Sequence, residues 1–556
     1  MTPSQRQNPV TLNAMITTPH YLASQAGLQV LRSGGNAIEA AIAAAAVLTV
    51  VYPQMCTLGG DNFWLIHNAA AGEMRGINAS GRAGRKVTRS VYEGMNAIPS
   101  RGPLAAITVP GTVSGWEKAF KYSKKAMQGT MSWGSLLEDA IELCHGAPVA
   151  ASLAAWLAKD TDAALPEEAN LLRFPEFAKI FAPGGHPLGL GDILVQPDLR
   201  ATLVRLAERG PRDFYEGLTA RQILDGLSEA GGLLTGKDFK KHSADWVDPI
   251  STDYREYTAF NLPPNTQGVS ALQILAMLNT KDMEELGVDS ADYYHFMTEA
   301  TKLAFADREL FVSDPDFVKI PLKKMLSKKH ARKCAAQIDM AKAGAYPSLL
   351  APCGDTIWLG VVDRQGNAVS LIQSIYMDFG SGIIPRGTGV ILQNRGSFFS
   401  LDPKHANTLE PGKRTMHTLN APMILKDGRP VLVYGTMGGE GQPQTQAALV
   451  TRILDKHMTP QEAIDAPRWL YGRSWGEETN SLRLEGRISK KIAEDLKKRG
   501  HKVEMVADYT DLMGHAGAIL IENRDDALDA AQRNTFPQRI LHGASDPRGD
   551  GLACGC

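Results

Sequence analysis

The 556-residue sequence predicts a layered α/β (α+β) protein, on three observations. Segments of helical and of strand periodicity occur in both halves of the chain, as they do when helices pack on sheets. Apolar residues make up 44% and charged residues 21%, the balance of a globular chain able to bury a core. No repeat of about 20–50 residues is visible, which sets solenoids and propellers aside. Length alone allows three or four domains of about 150 residues, or one large body. The 53 glycines and 31 prolines imply many tight turns and close backbone approaches.

Taken in order, the opening residues lack an apolar run behind a charged segment, so no secretory signal is expected. Leu22–Gly34 has apolar residues at helical spacing and stops at Gly34-Gly35, a helix-ending signal. Asn36 then caps the alanine-rich stretch Ala37–Val51. That stretch is shorter than a ~20-residue membrane span and contains Glu39, so a buried helix is expected. Beyond Gly59-Gly60-Asp61, Asn62–Ile66 reads as a strand. Residues 115–340 read as mostly helical, most clearly over 210–232 and 289–310, and Ser327–Pro352 as an exposed linker. The character then changes. Thr356–Asp363 and Ala368–Tyr376 are strands joined by the turn Arg364–Asn367, with further strands expected over Gly389–Gln393 and Pro430–Gly435. Short helices are expected over Gln442–Asp455 and Pro460–Ala466.

Composition also bounds function. A net charge of −1 offers no basic field, so neither nucleic acid nor a membrane is expected as a partner. The six cysteines (Cys56, Cys144, Cys334, Cys353, Cys554, Cys556) are scattered, which fits free thiols and a cytoplasmic location. The terminal Cys554-Gly-Cys556 lacks a second ligand pair, and neither H-E-x-x-H nor paired C-x-x-C occurs, so no metal is expected. A phosphate-binding loop is missing as well, and no cofactor is expected. Gly111-Thr-Val-Ser-Gly115 misses the serine-hydrolase elbow by one position.

One short segment carries chemistry. Gly354-Asp355-Thr356 places a hydroxyl residue at the start of a strand, after the small approach Ala351-Pro-Cys-Gly-Asp355. Cutting the 355–356 bond would make Thr356 an N-terminus. Its α-amine, with an ordinary pKa of about 7.7–8.0, would then serve as base for its own hydroxyl. Read alone, Thr356 is simply a β-branched residue that favours strand starts, and Asp-Thr dipeptides are common.

The wider pattern decides between these readings. Ser24-Gln-Ala-Gly27, Gly34-Gly-Asn-Ala-Ile-Glu-Ala40, Gly59-Gly60-Asp61, Val109-Pro-Gly111 and Gly115-Trp116 come in that order. They are followed by Glu299-Ala-Thr-Lys-Leu-Ala-Phe-Ala-Asp-Arg308, Asp355-Thr356, Val361-Val-Asp363, Gly366-Asn-Ala-Val369 and Phe379-Gly-Ser-Gly382. Gly438-Gly439, Glu462-Ala-Ile-Asp-Ala-Pro-Arg468 and Gly543-Ala-Ser-Asp-Pro-Arg548 complete the set. Over nearly its whole length the chain resembles the γ-glutamyltransferase family of N-terminal-nucleophile hydrolases. The resemblance implies a four-layer αββα sandwich and a precursor that cleaves itself between Asp355 and Thr356. Residues 1–355 would form a large subunit and 356–556 a small one, together one interleaved domain, with a homodimer of such heterodimers as a further expectation. It also implies that Thr356 is the nucleophile, that Ser374 supports it, and that Gly438 and Gly439 form the oxyanion hole.

The substrate pocket departs from the family pattern. Ser80 stands where γ-glutamyltransferases place an arginine for the α-carboxylate, and Arg82, two residues on, is the candidate replacement. Phe398 stands at the acidic position that meets the α-amine, and it has no acceptor to offer. The family's Ser-Ser pair becomes His417-Thr418, a strand asparagine becomes Tyr376, and Asn394 remains. Arg82, Tyr376, Asn394, His417 and Thr418 are therefore the expected substrate-binding residues. This profile resembles the oxamate amidohydrolase branch, which hydrolyses the amide of a small carboxylate-bearing acid and releases ammonia. The alternatives are a γ-glutamyltransferase or glutathione hydrolase and, more remotely, an unprocessed non-catalytic relative.

Overall fold

The computed structural model describes residues 6–345, 354–472, 479–523 and 539–556. Two seven-stranded antiparallel sheets lie face to face. One runs Leu552–Gly555, Met15–Thr18, Asp355–Val362, Ala368–Tyr376, Asp61–Asn68, Glu73–Asn78 and Asp245–Val247. The other runs Val10–Thr11, Arg539–Ser545, Ala516–Asn523, Arg429–Thr436, Met423–Lys426, Tyr257–Asn261 and Ile250–Tyr254.

The strand opened by Asp355 explains the layering through its alternation. Ile357, Leu359 and Val361 join the apolar cluster formed with helices Tyr21–Arg32 and Ala37–Val51 on one face. Trp358 and Val362 point the other way, into the core shared with Met423, Val433 and Ile519 of the second sheet. Helices Gly268–Leu278, Ala291–Phe311 and Gly441–Val450 cover that second sheet, which completes the expected αββα order. The Trp358 indole fits between the sheets only because the facing residues lack side chains. A Cβ on Gly435 or Gly517 would come within 2.3 or 2.7 Å of the ring. Its N–H donates to Ser370 Oγ at 2.9 Å.

The capping expectation holds. Asn36 accepts from the backbone of Ile38 and Glu39, and Glu39 returns a bond to the Asn36 amide. All fifteen residues of Ala37–Val51 are buried. Among the described residues no helix is long and apolar enough to cross a membrane.

Three local expectations change. The helical middle third also contains Asp245–Val247 and the hairpin Ile250–Tyr254 with Tyr257–Asn261, which turns at Arg255 with φ 53°. Its short partly exposed strands lack the apolar run that marks a core strand. Lys328–Ala335 is a helix capped by Ser327 that buries Ala331 and Cys334, where a loose linker was expected. Residues 346–353, Cys353 among them, lie outside the described residues. Gly389–Gln393 forms one isolated bridge, Gly59 with Leu392, instead of a strand, because Gly389 takes a left-handed φ of 64°.

Candidate active site

Thr356 follows Asp355 at the start of the strand Asp355–Val362. Asp355 pairs with Tyr376 and Ile357 with Gln373, so Ser374 and Ile375 together oppose the single residue Thr356. This β-bulge twists the strand end and takes Thr356 out of regular pairing. The bend puts Tyr376 at φ 84°, in the left-handed region. The Ser374 Oγ accepts the Tyr376 N–H at 2.7 Å and so braces the turn. Gly354 passes tightly over it: a Cβ there would sit 2.3 Å from the Tyr376 carbonyl oxygen. Thr356 is fully buried, and its Oγ1 has no hydrogen-bond partner among the described residues. A buried hydroxyl in that state costs about 1–3 kcal/mol, which is tolerated where the group has chemistry to perform.

Gly438 and Gly439 lie in the second sheet's layer, in the turn between strand Arg429–Thr436 and helix Gly441–Val450. Their φ values are 112° and 49°. The Gly438 carbonyl accepts from Gly441 at 2.7 Å. Gln267 Nε2 donates to the Gly439 carbonyl at 2.8 Å and to the Thr418 carbonyl at 2.7 Å. Gln267 Oε1 accepts from Arg308, whose guanidinium also reaches Glu440 at 2.6 Å. The Gly439 N–H has no acceptor among the described residues. Sequence reading placed Arg308 in a motif but missed Gln267, which lies in an irregular segment without a motif.

The other expected residues divide into two groups. Asn394 donates to the Ser100 carbonyl at 2.7 Å and accepts from Met377 at 3.0 Å, and its own N–H meets the Ile375 carbonyl at 3.2 Å. Thr418 Oγ1 accepts from Arg395 Nη2 at 3.2 Å. Arg395 lies over the Tyr376 ring at 3.7 Å, and Phe398 meets the same ring edge-on at 5.8 Å. Tyr376, Asn394 and Thr418 are thus linked to one another and to the strand end opposite Thr356 through Ile375, Met377 and Arg395, and Arg395 is a member that sequence reading missed. Arg82 is placed elsewhere. Its guanidinium pairs with Asp314 at 2.9 Å and Asp316 at 2.6 Å, on a cavity of about 640 Å³ lined also by Arg85, Lys241 and Arg414. Two carboxylates already take its fork.

His417 is buried on the Phe63 ring, with Nε2 3.4 Å from Asp61 Oδ2. Burial, reinforced by the Arg395 charge, holds its pKa well below the usual imidazole range, so it is neutral. Asp61 is the strand partner of Ser374. Its Oδ1 accepts from Gly81, Gly111 and Gln393 at 3.0–3.1 Å. Burial nevertheless pushes its carboxyl up to about 7.

A separate buried trio, His295, Glu299 and His501, has metal-type donors within 4.8 Å of one another. Those donors are engaged. His295 and His501 share a hydrogen bond of 2.8 Å, and the Lys302 ammonium lies 2.7 Å from Glu299. Glu299 also accepts the Gly344 N–H at 2.8 Å, fastening the chain that leads toward the 355–356 bond.

Comparison with known proteins gives the family. The gamma-glutamyltranspeptidase family model matches residues 23–556. The glutathione hydrolase-like YwrD proenzyme of Bacillus subtilis is 45% identical over 97% of this chain and 98% of its own. The oxamate amidohydrolase proenzyme of Klebsiella pneumoniae is 42% identical over 98% and 99%. Among solved structures, a cephalosporin acylase from Bacillus halodurans superposes with a TM-score of 0.87 at 33% identity, covering 100% of this chain and 98% of that one. The first two are named as proenzymes of hydrolases that act on amide C–N bonds, and the third as an acylase. The chain belongs to the gamma-glutamyltranspeptidase family.

Proposed function

We propose that the protein is a self-processing threonine amidohydrolase of small carboxylate-bearing amides, with oxamate as the representative substrate. The observation that carries the proposal is the buried Thr356 hydroxyl, left without a partner among the described residues opposite the Ser374-Ile375 bulge. Cleavage between Asp355 and Thr356 yields residues 1–355 and 356–556 and frees the α-amine. That amine takes the hydroxyl proton as Oγ1 adds to the amide carbonyl. The Gly438-Gly439 turn meets the oxyanion, Ser374 steadies the nucleophile, and the α-ammonium returns its proton to the leaving nitrogen as collapse breaks the C–N bond, expelling ammonia and leaving an acyl ester on Thr356. Water, activated by the same amine, then releases the diacid.

The choice of a short acid over a γ-glutamyl group rests on the wall facing the site. Phe398 and Tyr376 present aromatic carbon, and Arg395 presents a cation, so a substrate ammonium would find repulsion in place of an ion pair. The 42% identity to an oxamate amidohydrolase supports the same choice. A γ-glutamyl hydrolase or transferase is the second reading, favoured by the 45% identity to the glutathione hydrolase-like protein.

N-terminal sequencing of the smaller fragment should read Thr-Ile-Trp-Leu. Electrophoresis should give bands of about 38 and about 22 kDa, the 60.1 kDa chain divided in proportion to length. Ammonia release from oxamate, measured beside glutamate release from glutathione, separates the two readings, and activity on glutathione alone refutes the first. Thr356→Ala should leave one uncut, inactive chain. A cleaved, active Thr356→Ala protein ends the mechanism.

A further inference from the structure

We propose that Arg395 is the receptor for the substrate's carboxylate and sets the preference for an anionic amide. The inference rests on the amidohydrolase reading above and names the recognition element within it. Its first support is position. Arg395 follows Asn394, whose N–H is bonded to the carbonyl of Ile375, one of the two residues that oppose Thr356. Its guanidinium lies over Tyr376, the residue that pairs with Asp355, and donates to Thr418 Oγ1. Thr418 in turn shares Gln267 with Gly439. Arg395 therefore touches both the strand that pairs with the one carrying Thr356 and the segment tied to the Gly438-Gly439 turn.

The second support is preorganisation. The residue is 1% exposed, and its guanidinium carbon is packed 3.7 Å from the centre of the Tyr376 ring and 5.5 Å from that of Phe398. A clamped planar fork suits the two oxygens of a carboxylate, and a charge removed from water acts more strongly on an anion beside it. The third support is sign. The Arg395 charge reaches Asp61 and His417, favouring the ionised form of the first and the neutral form of the second. The same field attracts a carboxylate and repels an ammonium. Arg82, the candidate from sequence, gives its own fork to Asp314 and Asp316.

The test compares oxamate with oxamide, a neutral amide of nearly the same size, in the self-cleaved enzyme and in Arg395→Gln and Arg395→Lys. The readout is the ratio of kcat/KM for the two substrates, which a merely structural role would leave alone. Arg395→Gln should lower the oxamate-to-oxamide ratio at least 30-fold, and Arg395→Lys, which keeps the charge without the fork, should retain part of it. A ratio within threefold of the parent in Arg395→Gln overturns the assignment. Should the parent enzyme hydrolyse no oxamate, the amidohydrolase reading fails on its own, and oxalate binding by calorimetry judges Arg395 instead. Oxalate affinity reduced at least 30-fold in Arg395→Gln upholds the receptor role. Equal affinity in parent and variant overturns it.

Discussion

Asp61→Asn should make the protein more stable at neutral pH and leave the buried hydrogen bonds intact. The Asn amide oxygen keeps the three donors that meet Oδ1, from Gly81, Gly111 and Gln393. Its NH₂ group takes the place of Oδ2, 3.4 Å from the neutral His417 Nε2, which as the unprotonated ring nitrogen can accept from it. The difference lies in ionisation. The folded carboxyl is raised to about 7 by burial, against 3.8 for an ordinary aspartate in water. Between those values the folded protein holds a proton that the unfolded chain has released. The Asp61 contribution is therefore full below pH about 4, is lost as pH rises to about 7, and is constant above it. At about 1.4 kcal/mol per pH unit, the total is roughly 4 kcal/mol. With a melting entropy of about 2.1 cal/mol/K per residue, a chain of this length converts that to about 3 °C in Tm. The assay is the Tm difference between Asp61→Asn and its parent, both carried in the uncut Thr356→Ala protein, from pH 4.5 to 8.5. The gap should widen up to pH 7 and then stay level. A gap that is constant across the range means that Asp61 is ionised throughout, and refutes the burial argument.

Gly438→Ala places a side chain at φ 112°, a conformation open to glycine, and should cut turnover about 10²–10³-fold by displacing an oxyanion donor. Single-turnover acylation checks this, and an unchanged acylation rate contradicts the assignment of the turn. Gly435→Ala brings a methyl group within 2.3 Å of the Trp358 ring and should destabilise the sandwich by about 1–3 kcal/mol, read as a lower denaturation midpoint. Adding Trp358→Phe should recover part of that loss. Gln267→Leu strips partners from Arg308, Gly439 and Thr418 together. Steady-state kinetics should register a fall in kcat of about tenfold or more, consistent with ~1.4 kcal/mol per factor of ten.

Much of the fold was legible in the chain because its signals are local. Asn36 announces a helix cap, the run Ala37–Val51 announces a buried helix, and the unbroken apolar run from Ile357 to Val362 announces a strand, which the structure buries between two apolar layers. The hairpin of Ile250–Asn261 escaped notice because short, half-exposed strands depend on their neighbours for pairing. At the site, Thr356, Gly438 and Gly439 were proposed because each lies in a continuous motif, and Ser374 because the family resemblance implies it. What only the tertiary structure decided is which side chains meet across segments distant in sequence. Residue type makes Arg82 and Arg395 equal candidates for an anion. Folding commits the first to Asp314 and Asp316, and lays the second on Tyr376 beside the bulge. The pKa of Asp61 likewise comes from burial, and burial is a property of the packed molecule that a lone Gly-Gly-Asp segment does not contain.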